Sequence, residues 1–225
     1  MIHTPLSRIS VEVRSVVISG LTLSAAVGVF ALSFGVLSVS AGASIAQTCA
    51  LSLFTFTGAS QLSAMSVIAT GGTVGAALGG ALLLAARNFV YGLALAPLIK
   101  GSLPRRLFAA HFVIDETTAM TTAQFKPRLH KIAFWTTGIA LFSFWNLGTL
   151  IGALIGSGID PQKYGLDVAF TAAFVAMLAP HLRSAKGRQA AALGALICLV
   201  LIPSAPIGVP ILAAGLSVLI GLKRK

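Results

Sequence analysis

From Ser15 to Ile99 the chain carries one charged residue, Arg87. A surface that faces water cannot be built from such a stretch, so lipid must be the solvent around most of it. Backbone in hydrocarbon has to satisfy its own hydrogen bonds, which leaves helices or a closed barrel. A barrel needs polar and apolar residues in strict alternation, and the runs here do not alternate. The rest of the chain is similar: 56% of the 225 residues are hydrophobic and 9% are charged, with a mean hydropathy of +0.94. A soluble domain carries about 25% charged residues. The expected fold is an all-α integral membrane protein, one membrane-embedded domain over residues 1–225.

The net charge of +11 raises the question of nucleic acid. Placement answers it. Lys and Arg gather at the ends of apolar runs: Arg8 and Arg14; Lys100, Arg105 and Arg106; Lys126, Arg128 and Lys131; Arg183, Lys186 and Arg188; Lys223, Arg224 and Lys225. This is the bias of cytoplasmic loops, and no nucleic-acid partner is expected. Cys49 and Cys198 lie in apolar runs without metal or disulfide spacing. The apolar run 16–39 is longer than the core of a signal peptide, so it reads as a retained span after a cytoplasmic tail, 1–14.

Further spans are expected at 75–99, 132–157, 166–182, 190–202 and 207–222, with 43–56 and 61–69 as two parts of an interrupted or re-entrant helix. The total is about seven, give or take one. Segment 100–131 reads as a basic polar connection whose centre, 106–125, forms an amphipathic helix or a short membrane segment. Two echoes, GASIAQ (42–47) with GASQLS (58–63) and GTVGAALGG (72–80) with GTLIGALIG (148–156), are compatible with internal duplication or with the narrow alphabet of membrane sequences.

Three constellations carry polar chemistry. In FTFTGASQL (54–62), Gly58 permits a helix break, and the half-helix that follows presents unpaired amides suited to a carboxylate. Thr57, Gly58, Ala59, Ser60 and Gln61 are therefore substrate-site candidates; the competing reading has the hydroxyls and the amide bonded to neighbouring helices. Arg87, Asn88 and Tyr91 form the second. An intramembrane cation needs an acid, a carbonyl, a substrate anion or an interface to which it snorkels. Arg87 and Tyr91, four apart, share a helix face. Asp115 and Glu116 form the third, as partners for Arg87, as proton-coupling groups or as part of a solvated loop. Asp167 is a weaker candidate of the same kind. His111 and His181 are candidates for a proton-handling role, although lone histidines beside basic loops are more often interfacial residues. No catalytic motif and no nucleotide-binding loop stands out, so neither an enzyme nor a cofactor is expected.

In order and spacing, FTFTGASQL, RNFVYGLALAP, IDETTAM, WNLGTLIGALIG and YGLDVAF resemble the AzlC family over roughly residues 15–222. The resemblance implies the large subunit of a branched-chain amino-acid exporter in the bacterial inner membrane, driven by the proton gradient. It also implies a small hydrophobic partner subunit of the AzlD type. The family's motifs fall on Phe56, Gly58, Ala59, Ser60 and Gln61, on Arg87 and Tyr91, on Asp115 and Glu116, and on Gly165, Leu166, Asp167 and Ala169. Ala85, Thr118 and Val168 depart from the family pattern. The leading expectation is a secondary transporter of small neutral amino acids. The alternatives are an intramembrane enzyme acting on a lipid or isoprenoid, and a membrane subunit that only stabilises a partner.

Overall fold

The computed structural model describes residues 5–158, 175, 178–179, 181–205 and 209–218. The expected span 166–182, the loop before it and Asp167 lie outside the described residues, apart from the last few positions of that span. Among the described residues the chain is helical, and three helices are long and apolar enough to cross a membrane: Val11–Ser40, Val74–Leu95 and Pro127–Gly158.

The frame is a pair of parallel helices, α1 (Pro5–Ser40) and α7 (Pro127–Gly158). Small residues on both let the backbones meet, the commonest device for joining helices when lipid competes for every apolar side chain. A Cβ on Gly148 would fall 2.6 Å from the Gly28 carbonyl oxygen, and one on Gly156 3.0 Å from the Val36 Cα. Gly152 lies against the Leu32 carbonyl and Gly35 against that of Thr149. Polar side chains reinforce the seam, with Ser24 donating to the Thr137 carbonyl at 3.3 Å.

Two broken helices enter between these from opposite ends. α2 (Ile45–Phe54) starts beside the C-terminal end of α1, where Thr48 donates to Ser38 at 2.9 Å. Its start is fixed by Ser44 and Gln47, each of whose side chains binds the other's backbone N–H. It runs past Thr149, to which Ser52 donates at 3.1 Å, and stops at Thr55. After Thr55, Phe56 and Thr57 the chain turns back, and α3 (Gly58–Ala69) returns to the same end. Gly71, at φ +82°, closes α3 in a backbone conformation that favours glycine. α4 (Val74–Leu95) then runs the length of the bundle, capped by Thr73.

The second break falls within 106–125, where an amphipathic helix or a short membrane segment is expected. Two helices form, α5 (Leu103–Ala110) and α6 (Asp115–Thr122). α5 rises from the end where α7 begins, with Phe108 stacked on Trp135 at 6.0 Å. α6 returns there, where Met120 packs with Val16, Leu129 and Ala133. The interruption has a local cause. The Thr117 hydroxyl donates to the Phe112 carbonyl at 2.6 Å and accepts from the Ile114 N–H at 3.1 Å, which starts a new helix at Asp115. Asp115 and Glu116 then occupy the first turn, where the dipole favours acids.

Both echoes of the sequence involve helix starts. GASIAQ opens α2 and GASQLS opens α3, while GTVGAALGG opens α4 and GTLIGALIG lies late in α7. A short 3-10 turn (His181–Arg183) precedes α8 (Ala185–Leu201), and α9 (Val209–Ala214) packs on α8 and α4.

Candidate functional site

The two breaks meet. Phe56, at the tip of the α2–α3 hairpin, lies 5.8 Å from His111 and 6.3 Å from Phe112 at the other tip, with Phe142 of α7 at 5.1 Å. A small cavity of about 110 Å³ opens beside them. Its apolar wall comes from Val27, Phe30, Leu62, Leu141 and Trp145, and its polar side from Thr57, Gly58, Ala59, Asp115 and Glu116. Helix N-termini therefore reach it from two directions. The amides of Gly58, Ala59 and Ser60 stand in the first turn of α3, where no intrahelical acceptor exists. The first turn of α6 carries two carboxyl groups.

The acids are held differently. Arg87 Nη2 lies 2.7 Å from one Asp115 oxygen, and the Tyr91 hydroxyl donates to the other at 2.7 Å. Arg87 and Tyr91 thus converge, one helical turn apart, on a single carboxylate. Glu116 makes no salt bridge with any other described side chain. Arg87 Nε and Asn88 Oδ1 are buried without a hydrogen-bond partner among the described residues. Asn88 belongs to a second, wider cavity of about 490 Å³, with Thr55, Arg106 and His111 on its wall. Phe56 and Thr57 line both cavities and separate them.

Gln61 and Ser60 do not line the small cavity. Gln61 is buried, and its amide is fully used. It donates to the carbonyls of Leu51 and Thr55 at 3.0 and 3.1 Å and accepts from Trp145 Nε1 at 2.9 Å. It ties the end of α2 to α3 and both to α7. Ser60 takes a hydrogen bond from Thr57 at 3.2 Å. Of the residues singled out in the sequence, Thr57, Gly58, Ala59, Asp115 and Glu116 therefore come together. Arg87 and Tyr91 join them through Asp115, and Asn88 faces the neighbouring cavity.

Trp145 is the residue that sequence reasoning passed over. It covers Gly58 so closely that a Cβ there would sit 2.5 Å from its ring. Its signal was present, since an indole in the middle of a long apolar helix needs a partner for its N–H, and Gln61 was the nearest unplaced acceptor type in the apolar half.

Two proteins of Helicobacter pylori strains 26695 and J99, each described as an uncharacterized membrane protein, are 27% and 26% identical to the chain. Each match covers 76% of this chain and 77% of the relative. No solved structure matches. The family model described as AzlC protein matches residues 22–159, more than half of the chain and the region that contains both breaks. The chain is a membrane protein of the AzlC family.

Proposed function

We propose that the chain is a secondary transporter that exports branched-chain or similar small neutral amino acids across the bacterial inner membrane. The observation that carries this reading is one small cavity at which a bare helix N-terminus and a carboxylate-bearing helix N-terminus meet. An amino-acid zwitterion has matching ends. Its carboxylate suits the amides of Gly58 and Ala59, and its ammonium suits the side of Asp115 and Glu116. Its apolar side chain then faces Phe30, Leu62 and Leu141. The volume suits a small solute and leaves no room for a lipid with its chains, which weighs against a lipid-processing enzyme.

In this reading the hairpins are re-entrant, one from each face of the membrane, and α1, α4 and α7 cross it. Arms of 8 to 12 residues are too short to span alone. Irregular backbone at such depth is tolerated where it lines a cavity. Hairpins of opposite sense give the inverted arrangement common in transporters. Asp115 is neutralised by Arg87, so Glu116 is the group free to exchange a proton during the cycle. Phe56 closes the path between the wide cavity and the small one. A small hydrophobic AzlD-like subunit completes the working unit.

Efflux tests this directly. Cells expressing the chain with and without such a subunit are loaded with a dipeptide containing leucine or isoleucine, and released amino acid is followed. Efflux requiring both chains, and lost in Glu116→Gln, is expected. Unchanged efflux in Glu116→Gln would remove the coupling role, and no efflux of any branched-chain amino acid from membrane-inserted protein would remove the substrate.

A further inference from the structure

A third cavity, about 420 Å³, lies at the opposite side of α5 from the candidate site's break. Three cations border it from three parts of the chain: Lys100 after α4, Arg105 on α5 and Lys131 on α7. Aromatic rings form its wall. Phe108 stacks on Trp135 at 6.0 Å, and Phe134 meets Trp135 edge-on at 5.1 Å. Lys131 and Trp135 are four apart on α7 and share a face.

Among the described residues, the salt bridges are Arg87 with Asp115, and Lys126 and Arg128 with Glu12. None involves Lys100, Arg105 or Lys131, and no acid stands among the described residues of the cavity wall. Part of the arrangement is built in. Gly101, at φ +128°, turns the chain so that a Cβ there would lie 2.9 Å from Arg105 Cδ. Any side chain at 101 would displace the arginine stem. Of the wall residues, Phe108 is itself exposed, an apolar surface beside the cationic rim. A cationic rim over aromatic and aliphatic walls matches the two parts of a phospholipid at the membrane surface, a phosphate and the first carbons of its chains.

We propose that this cavity binds the phosphate group of an anionic phospholipid, with Lys100, Arg105 and Lys131 as its cationic ligands and Trp135 against the glycerol and upper chains. The proposal does not depend on what the transporter carries. Each cation near an anionic membrane lipid strengthens binding by a small, roughly additive amount.

The full-length chain, purified in a nonionic detergent, is titrated with phosphatidylglycerol, with phosphatidylcholine and with inorganic phosphate, and bound lipid is read by native mass spectrometry. Phosphatidylglycerol is expected to bind and phosphatidylcholine to bind weakly. Lys100→Gln/Arg105→Gln/Lys131→Gln is expected to weaken phosphatidylglycerol on the order of a hundredfold. Arg14→Gln/Arg183→Gln/Lys186→Gln, which removes equal charge elsewhere, should leave it within about twofold on the same reasoning. Lys100→Arg/Lys131→Arg, which keeps charge and should fold, is expected to retain binding. Equal loss in the two neutralised variants would overturn the site in favour of general surface charge. Displacement of the lipid by an equal concentration of inorganic phosphate would overturn the lipid as its ligand and leave a free-phosphate site.

Discussion

The indole Nε1 of Trp145 donates a hydrogen bond to the side-chain oxygen of Gln61 at 2.9 Å, joining the middle of α7 to the second residue behind the broken-helix cavity. The same amide holds two carbonyls at the end of α2. One side chain therefore sets the angle of the break. Gln61→Leu removes three hydrogen bonds at about 0.6 kcal/mol each within a membrane bundle, a loss of ~2 kcal/mol. Thermal unfolding in detergent should show it, together with a changed Trp145 emission in a Trp135→Phe background. An unchanged melting temperature would mean that the amide positions nothing.

Gly58→Ala probes the cavity itself. The new Cβ would stand 2.5 Å from the Trp145 ring, so the ring or the start of α3 must move. Overpacking of this kind costs about 1–3 kcal/mol. Membrane insertion should persist while efflux falls at least tenfold, a threshold of about 1.4 kcal/mol in transition-state terms. Wild-type efflux in this variant would show that the amides of the α3 start do not meet the substrate.

The ion pair at the centre predicts a rescue. Arg87→Gln leaves Asp115 with Tyr91 alone among the described side chains, at a cost of roughly 1–2 kcal/mol, between exposed and buried pairs because both partners keep partial access to solvent. Arg87→Gln/Asp115→Asn removes both charges and should recover much of the lost stability. A double variant less stable than the single one would mean that Asp115 is not the charge that Arg87 compensates.

Gly152→Val tests the frame rather than the site. Its side chain would meet the Leu32 backbone across the α1–α7 seam. Rigid backbone cannot yield as a flexible side chain can, so the cost should reach or exceed the upper end of the 1–3 kcal/mol seen for overpacking. Loss of folded protein in size-exclusion chromatography is the expected readout. Gly158→Val, at a position with none of the described residues within 4 Å of the new Cβ, is the control that should fold normally.

A pH effect is expected at the end where α1 and α7 begin. Glu12 accepts hydrogen bonds from Lys126 and Arg128, which hold its carboxyl below the usual value of 4.5. A lowered folded-state value means that stability is fully present above the unfolded value, and is lost as pH falls through the folded one. Melting temperature in neutral detergent should therefore drop below about pH 4.5 more steeply for the wild type than for Glu12→Gln. High salt should shrink the difference, since the group is exposed. Identical slopes would show that the bridge contributes nothing.

How far the sequence foretold this arrangement differs by element. The long helices were legible because apolar runs of that length have one solution in lipid. The break at Thr55–Thr57 was legible because Gly58 sits among hydroxyls in an otherwise apolar run. The break at 111–114 was not. It depends on the Thr117 hydroxyl turning back to Phe112, a local choice that competes with a continuous helix and leaves no mark in periodicity. Arg87 signalled a partner without naming it, because which acid lies beside it depends on where the second hairpin ends. Gln61 looked like a ligand group for the same reason that it makes a good tie: a buried amide must bond to something, and sequence does not say whether that is substrate or protein.

The tie between Gln61 and Trp145 also has a history. Trp145 follows Gln61 by 84 residues, and chains are made at about 5–20 residues per second, so the tryptophan emerges roughly 4 to 17 s after the glutamine. For the first half of that interval no part of the second hairpin has been made, and throughout it the first tip, with its bare amides and hydroxyls, lacks the Trp145 turn of α7 that covers it. A nascent chain of this design must therefore keep its first hairpin beside water or a helper until the second half arrives, and the last helix of the frame completes the shelter.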